Sequence, residues 1–108
     1  MLQKEPAHFA WLIQHSGPQA GKEFRLSKET NVGRDTMHSD MILDEPSVSR
    51  QHAKVRLEIG QWVLYDLAST NGTFVNGEQI LQQALRDGDT VRFVDAEFRF
   101  MELRQSET

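Results

Sequence analysis

Three short polar stretches contain the residues whose types and spacing could bind an anion. Gly33-Arg34 ends one predicted strand, Ser49-Arg50-Gln51-His52 precedes another, and Ser69-Thr70-Asn71-Gly72 lies between two apolar stretches. A guanidinium presents a planar fork of N–H donors that matches phosphate oxygens, and hydroxyl and backbone N–H groups can add further hydrogen bonds. Together, these residue types are suited to binding a single phosphate group.

Two Asn-Gly pairs shape the third stretch and the chain that follows it. Asn76-Gly77 lies between Phe74-Val75 and Gln79-Ile80, which predicts a tight hairpin turn. Asn71-Gly72 directly follows Ser69-Thr70, and this run of side chains offers more polar groups than a turn requires. Because Asn and Gly both tolerate positive φ, we expect Asn71-Gly72 to shape a loop that can receive a ligand.

The composition is that of one globular domain. The chain has 108 residues, of which 38% are hydrophobic and 26% charged, and it contains no cysteine. No apolar run approaches eighteen residues, and Met1 to Pro6 lack the apolar core of a secretory signal. We therefore expect a cytoplasmic protein without a membrane span, without disulfides and without thiolate metal sites.

The overall charge excludes one class of ligand. The formal net charge is −4 and the pI is about 5.5. A surface that neutralises many phosphates of DNA or RNA needs an excess of positive charge, so nucleic acid is not an expected partner. One phosphate group needs only one or two well-placed arginines, and the acidic balance does not exclude it.

Short strands must position the polar stretches. Apolar and charged residues alternate with period two in residues 53–59, and residues 62–67 form the expected antiparallel partner. No window keeps a helical period over three turns, and a short helix fits only Ile80 to Leu85. The chain is therefore predicted to be all-β, a two-sheet antiparallel β-sandwich whose loops converge at its ends. The other predicted strands are residues 8–13, 22–27, 30–34, 41–43, 90–94 and 97–103.

The three polar stretches, in this order, resemble the signature of the forkhead-associated (FHA) domain. The resemblance covers the chain from about Phe9 to Leu103. It implies a sandwich of about eleven short strands, of the FHA/SMAD-like kind, which binds phosphothreonine peptides through loops at one end. We assign residues 8–103 to this domain and residues 1–7 and 104–108 to polar termini. No cofactor is implied.

The resemblance and the side-chain chemistry together suggest a role for each site residue. The expected phosphopeptide-binding residues are Arg34, Ser49, Arg50, Thr70 and Asn71. A loop that could select the peptide contains Ser47, Val48 and Ser69, and structural support is expected from Gly33, His52 and Gly72. By similarity to the family, Asn71 holds the peptide backbone beside the phosphoresidue. By the same resemblance, the loop before Ser49 often reads the residue three positions after phosphothreonine. Position 47 in this loop is not an arginine, so we expect no preference for an acidic residue there.

Other functions of the same residues agree less well with the sequence. Ser49 and His52 could form a nucleophile and base, but in a strand their side chains would point to opposite faces, which favours a structural His52. His8, His15 and His38 have no metal-site spacing and are expected at the surface. Acidic residues that might form a calcium loop, namely Asp35, Asp40, Asp44 and Glu45, are too scattered, and no metal is expected. The larger aromatic side chains are expected in the core: Trp11, Trp62, Phe24, Phe93, Phe98 and Phe100.

The sequence therefore predicts a recognition module that is not an enzyme. It would bind a partner protein that a Ser/Thr kinase has phosphorylated on threonine. The alternative from another class is a phosphate-independent interaction or assembly domain that uses a sheet face or edge. A hydrolase based on Ser49 lacks an identifiable acidic residue to orient its base.

Overall fold

The computed structural model describes residues 7–105, and the side chains of residues 8–103. These residues contain eleven strands and no helix, which confirms the predicted all-β sandwich. The predicted termini lie outside the described residues except for Ala7 in the first strand and Arg104 and Gln105 in the last. The strands are β1 (Ala7–Gln14), β2 (Glu23–Arg25), β3 (Glu29–Gly33), β4 (Met41–Ile42), β5 (Ala53–Glu58), β6 (Gln61–Asp66), β7 (Thr73–Val75), β8 (Glu78–Gln79), β9 (Gln82–Ala84), β10 (Thr90–Phe93) and β11 (Ala96–Gln105).

The strands form two sheets. The six-stranded sheet has the order β2-β1-β11-β10-β7-β8, and the five-stranded sheet has the order β4-β3-β5-β6-β9. The sheets are antiparallel, as predicted, except at one pair, where β4 runs parallel to β3. The connection of residues 34–40 turns back along β3, and the Asp40 N–H donates to the carbonyl of Asn31 at 2.8 Å. The chain then leaves β4 at the same end at which it left β3.

Period-two alternation places the core between the sheets. Trp62, Phe93, Phe98 and Phe100 are at most 2% exposed, as predicted. The rings of Phe93 and Phe98 meet edge to face with centroids 5.7 Å apart. Burial of one such side chain stabilises the fold by about 2 to 3 kcal/mol relative to leaving it in water.

Trp11 differs from this expectation. Its neighbours Ala10 and Leu12 are fully buried, so the alternation of β1 turns the indole to the outer face of the six-stranded sheet, where it is half-buried. The Arg25 guanidinium lies 4.8 Å from the Phe9 ring and 5.9 Å from that of Trp11. The cation and the two rings cover one another at this surface.

The segment where a short helix was considered forms strand β9. Gln82 pairs with Tyr65 and Ala84 with Val63, which extends the five-stranded sheet beyond β6. Without β9, the outer edge of β6 would leave its backbone N–H and C=O groups without strand partners. Sheet hydrogen bonds therefore outweigh any local helical preference in this segment.

Strand register brings the three polar stretches to one end of the sandwich. Val32 pairs with Ala53, and Ala53 pairs with Asp66, so β3 ends where β5 begins and β6 ends. Strand β7 begins nearby, because the Thr73 hydroxyl donates to Asp66 Oδ1 at 2.7 Å. The loops 34–40, 43–52 and 67–72 consequently lie side by side at this end.

Candidate functional site

Gly33 allows the second polar stretch to cover the end of β3. A Cβ atom built on Gly33 would overlap the carbonyl oxygen of Arg50 and lie 2.8 Å from its carbon. Two backbone hydrogen bonds of 3.1 Å fix this arrangement, from the Arg34 N–H to Ser49 and from the Asp35 N–H to Arg50. Any side chain at position 33 would push the two loops apart.

The Arg34 side chain is oriented by the loop that it faces. Its Nε–H donates to the carbonyl of Val48 at 3.0 Å, and the side chain is half-buried. Within the described residues, the terminal nitrogens of this guanidinium form no hydrogen bond or ion pair. Arg34 therefore has two terminal nitrogens, with four N–H donors, and a positive charge that are available to a ligand.

Ser49 and Thr70 connect the second and third stretches. The Thr70 N–H donates to the Ser49 hydroxyl oxygen at 3.0 Å. Because that oxygen accepts from Thr70, the hydroxyl proton remains available to an acceptor outside the protein. The Thr70 side chain is itself exposed. Ser49 thus joins two loops and keeps one donor for a ligand.

Asn71 makes a second connection between these loops. Its carboxamide nitrogen donates to the carbonyl of Ser47 at 2.8 Å, and the residue is exposed. This bond fixes the plane of the amide and leaves its oxygen directed away from Ser47. A carboxamide held in this way can accept a hydrogen bond from the backbone N–H of a bound peptide.

His52 links the same loops from the inside. Its Nδ1 accepts from the backbone N–H of Ser49 at 3.1 Å, and its Nε2 lies 2.9 Å from the carbonyl oxygen of Gly72. A carbonyl can only accept, so Nε2 carries the proton. The ring is fully buried and packs edge-on against Phe93, with centroids 5.7 Å apart.

The prediction that Ser49 and His52 lie in a strand is wrong. Strand β5 begins at Ala53, so Ser49 and His52 do not lie in a strand and their side chains do not alternate across a sheet. They belong to a turn, in which the imidazole bonds to the Ser49 backbone. Both ring nitrogens are engaged with backbone groups, and neither is bonded to the Ser49 hydroxyl.

Asp66 is a site residue that sequence reasoning missed. Its Oδ1 accepts from the hydroxyls of Ser69 at 2.5 Å and Thr73 at 2.7 Å, while its Oδ2 accepts from the Ser69 N–H at 3.2 Å. The Ser69 oxygen in turn accepts from the Gly72 N–H at 3.0 Å. An Asp at a strand end with a Ser three residues later is typical of such turns, so the signal was present in the sequence.

In the predicted peptide-selecting loop, the side chains of Val48 and Ser69 are engaged inside the protein. The Val48 side chain is 1% exposed and packs in the core, so only its backbone reaches the site. The Ser69 hydroxyl both donates to Asp66 and accepts from Gly72, and these internal bonds occupy it. Ser47 is exposed, as a peptide-contacting residue must be, and its carbonyl also holds Asn71.

One carboxylate of these loops, that of Asp35, interacts with His38 and feels the charge of Arg50. Hydrogen bonds from His38, at 2.7 Å, and from the Met37 N–H, at 2.9 Å, lower the pKa of Asp35, and the charges of His38 and Arg50 lower it further. Arg50 is exposed and forms no ion pair within the described residues. The charge of Asp35 thus partly balances Arg50 when no ligand is bound.

Two of the other three histidines lie at the surface. His15 and His38 are exposed, as predicted, whereas His8 is half-buried and its Nδ1 has no hydrogen-bond partner. Residues 7–105 contain no group of three or more His, Asp or Glu side chains that could hold a metal ion. No helix in that range is long and apolar enough to cross a membrane.

This chain is similar to known proteins along most of its length. The model of the FHA domain matches residues 30–94. A glycogen accumulation regulator, GarA, from Mycolicibacterium smegmatis is 40% identical over 87 residues, and an oxoglutarate dehydrogenase inhibitor from Corynebacterium efficiens is 39% identical over 87 residues. Both matches cover 81% of this chain, but they cover only 55% and 61% of the two relatives.

One solved structure has a fold similar to that of this chain. Mycobacterium tuberculosis EmbR, in complex with a low-affinity phosphopeptide, superposes with a TM-score of 0.79 and 35% identity. The match covers 86% of this chain and 24% of that one.

Proposed function

This chain belongs to the FHA domain family, and on that premise we propose that it is a phosphothreonine-dependent protein-recognition module. It docks a partner that a Ser/Thr kinase has phosphorylated, through the loops at one end of the sandwich. The observation that carries this proposal is the convergence of Arg34, Ser49 and Asn71, which three hydrogen bonds hold at one surface.

Each of these residues offers what a phosphothreonine peptide requires. The phosphate carries nearly two negative charges and several acceptor oxygens, which suit the Arg34 fork, the Ser49 hydroxyl proton and the exposed groups of Arg50 and Thr70. The Asn71 amide oxygen can accept from the peptide backbone. One charge-assisted hydrogen bond contributes about 1.5 to 3 kcal/mol, which is at least a tenfold change in affinity.

We also propose that the domain is not an enzyme. A serine nucleophile needs a base within hydrogen-bonding distance of its hydroxyl. Both nitrogens of His52 are engaged with backbone groups, and the Ser49 oxygen already accepts from Thr70.

Two relatives carry names that describe regulation of glycogen accumulation and inhibition of oxoglutarate dehydrogenase. We therefore propose that the phosphorylated partner is a cytoplasmic protein whose activity this docking controls.

Calorimetric titration with matched peptides tests the proposal. The wild-type chain is titrated with a phosphothreonine peptide library, its phosphoserine counterpart and the unmodified peptides. Arg34→Ala and Ser49→Ala should each weaken phosphothreonine binding by about tenfold or more. The control variants Arg86→Ala and Ser27→Ala change exposed residues outside the binding loops and should bind like wild type.

Phosphoserine should bind more weakly than phosphothreonine, because one buried methyl group contributes about 1 kcal/mol. If the unmodified peptides bind as tightly as the phosphorylated ones, and neither site substitution weakens binding, the chain is instead a phosphate-independent assembly domain. Ester hydrolysis that Ser49→Ala abolishes would indicate an enzyme.

A further inference from the structure

A groove on the outer face of the five-stranded sheet begins next to the binding loops. Its volume is about 390 Å³. Gln51 and Ser39 line it at the loop end, Asn31 and Lys54 line it further along β3 and β5, and Leu67 forms one wall. Because Ser39 and Gln51 belong to two of the loops at the binding end, the groove begins beside the proposed phosphothreonine site. A peptide that leaves the site in this direction would enter the groove.

Lys54 is a cation of this groove that forms no ion pair within the described residues. Its side chain is half-buried. The nearby Arg56 differs, since its Nε lies 3.4 Å from Glu29 and 3.8 Å from Glu58. Tyr65, which pairs with Lys54 across the sheet, donates to Glu58 at 2.5 Å.

Glu29 and Glu58, on this face of the sheet, are therefore already engaged by other partners. Glu29 also lines the groove, and its charge is directed to Arg56 rather than to Lys54. An ammonium that is partly withdrawn from water and lacks a carboxylate partner favours the arrival of an anion. The Gln51 side chain is exposed and can add an N–H donor at the same place.

From these observations we infer that the groove is a subsite for an acidic side chain of the phosphorylated partner, bound by Lys54 and Gln51. This inference rests on the proposed function. Lys54 follows Arg50 by four residues, so their Cα atoms are at most about 14 Å apart. An extended peptide covers that distance in about four residues. The acidic residue consequently lies within about four positions of the phosphothreonine.

A charge-matched peptide scan tests this subsite. One phosphothreonine peptide that is otherwise uncharged is made with a single glutamate, or with the isosteric glutamine, at each position from four before to four after the phosphoresidue. Binding is measured for wild type, Lys54→Gln, Lys54→Glu and a control, Lys28→Gln, which changes an exposed lysine outside the groove.

Wild type should bind the glutamate peptide about threefold to fivefold more tightly than its glutamine twin at one position, as expected for a partly exposed ion pair. Lys54→Gln should remove this preference, Lys54→Glu should reverse it, and Lys28→Gln should retain it. Salt should weaken the preference, because the pair is partly exposed.

Failure of the subsite and failure of the proposed function give different results. If wild type binds the phosphothreonine peptides but shows no glutamate preference, or if Lys54→Gln keeps it, the subsite is overturned and the proposed function stands. If no phosphothreonine peptide binds, both are overturned. Thermal unfolding of Lys54→Gln at the wild-type temperature confirms that a lost preference does not reflect a lost fold.

Discussion

The imidazole of His52 donates its Nε2 proton to the carbonyl oxygen of Gly72 across 2.9 Å, inside the molecule and directly beneath the binding loops. On its other side the ring accepts from the backbone of Ser49. One buried side chain thus fixes the distance between the loop that contains Ser49 and the loop that contains Asn71. The proposed ligand-binding groups are held in place by a residue that no ligand touches.

Replacing this histidine should cost both stability and binding. His52→Ala leaves a cavity and removes partners from two backbone groups, so the free energy of unfolding should fall by about 2 to 4 kcal/mol. Urea denaturation measures this change. The control His15→Ala alters an exposed ring outside the binding loops and should shift the unfolding midpoint little. An unchanged midpoint in His52→Ala would contradict the linking role.

Gly33 should tolerate no side chain. Gly33→Ala places a methyl group against the Arg50 carbonyl and should destabilise the fold by more than about 2 kcal/mol. Gly21→Ala is the matched control, because no atom lies within 4 Å of a Cβ built there and only the strain of its φ of 95° applies. That strain is about 1 to 2 kcal/mol. Thermal unfolding that ranks Gly21→Ala as the more damaging change would contradict the steric explanation.

The Asp35 carboxylate should titrate below its ordinary pKa, and His38 is the main reason. A pKa that is lower in the folded state adds stability above the unfolded value of about 3.9, and this stability is lost as the pH falls through the folded pKa. His38→Ala should therefore raise the pKa of Asp35 and reduce the acid-dependent part of the stability. A carboxyl NMR titration measures the pKa, and an unchanged value in the variant would disprove this cause.

Asp66 should organise the loop of residues 67–72. Asp66→Asn replaces one acceptor oxygen with a donor that faces the Ser69 and Thr73 groups, so amide hydrogen exchange in this loop should accelerate. Phosphopeptide affinity should fall several-fold, because a less ordered loop must be fixed on binding. Asp95→Asn, in the exposed β10–β11 turn, serves as the control. Equal exchange rates in the two variants would show that Asp66 has no such role.

Local patterns in the sequence were sufficient to predict much of the fold. Period-two alternation located β5 and β6, and the Asn76-Gly77 turn is confirmed, with φ of 50° and 86° at its two residues. Both features depend on residues close together in the chain. The convergence of the loops was predicted because strand ends must meet at the ends of a sandwich.

Non-local contacts account for what the sequence did not reveal. The parallel pairing of β4 depends on how residues 34–40 turn back along β3, for which no local pattern exists. Val48 faces the core from an irregular loop, where no period indicates the direction of a side chain. The Asp66 network joins residues whose side chains meet only after the loop has closed. The sequence thus reveals the residue types of a site but not the hydrogen bonds that hold these residues in place.

The most direct test of the central claim is an amide and side-chain NMR titration of the ¹⁵N-labelled chain with a phosphothreonine peptide and its unmodified twin. If Arg34, Ser49 and Asn71 form one phosphothreonine site, their signals and that of Thr70 should shift together and saturate at one peptide concentration. The signals of Ile59 and Gln61, at the opposite end of β5 and β6, should stay in place. Equal shifts with the unmodified peptide, or shifts confined to another surface, would contradict the account.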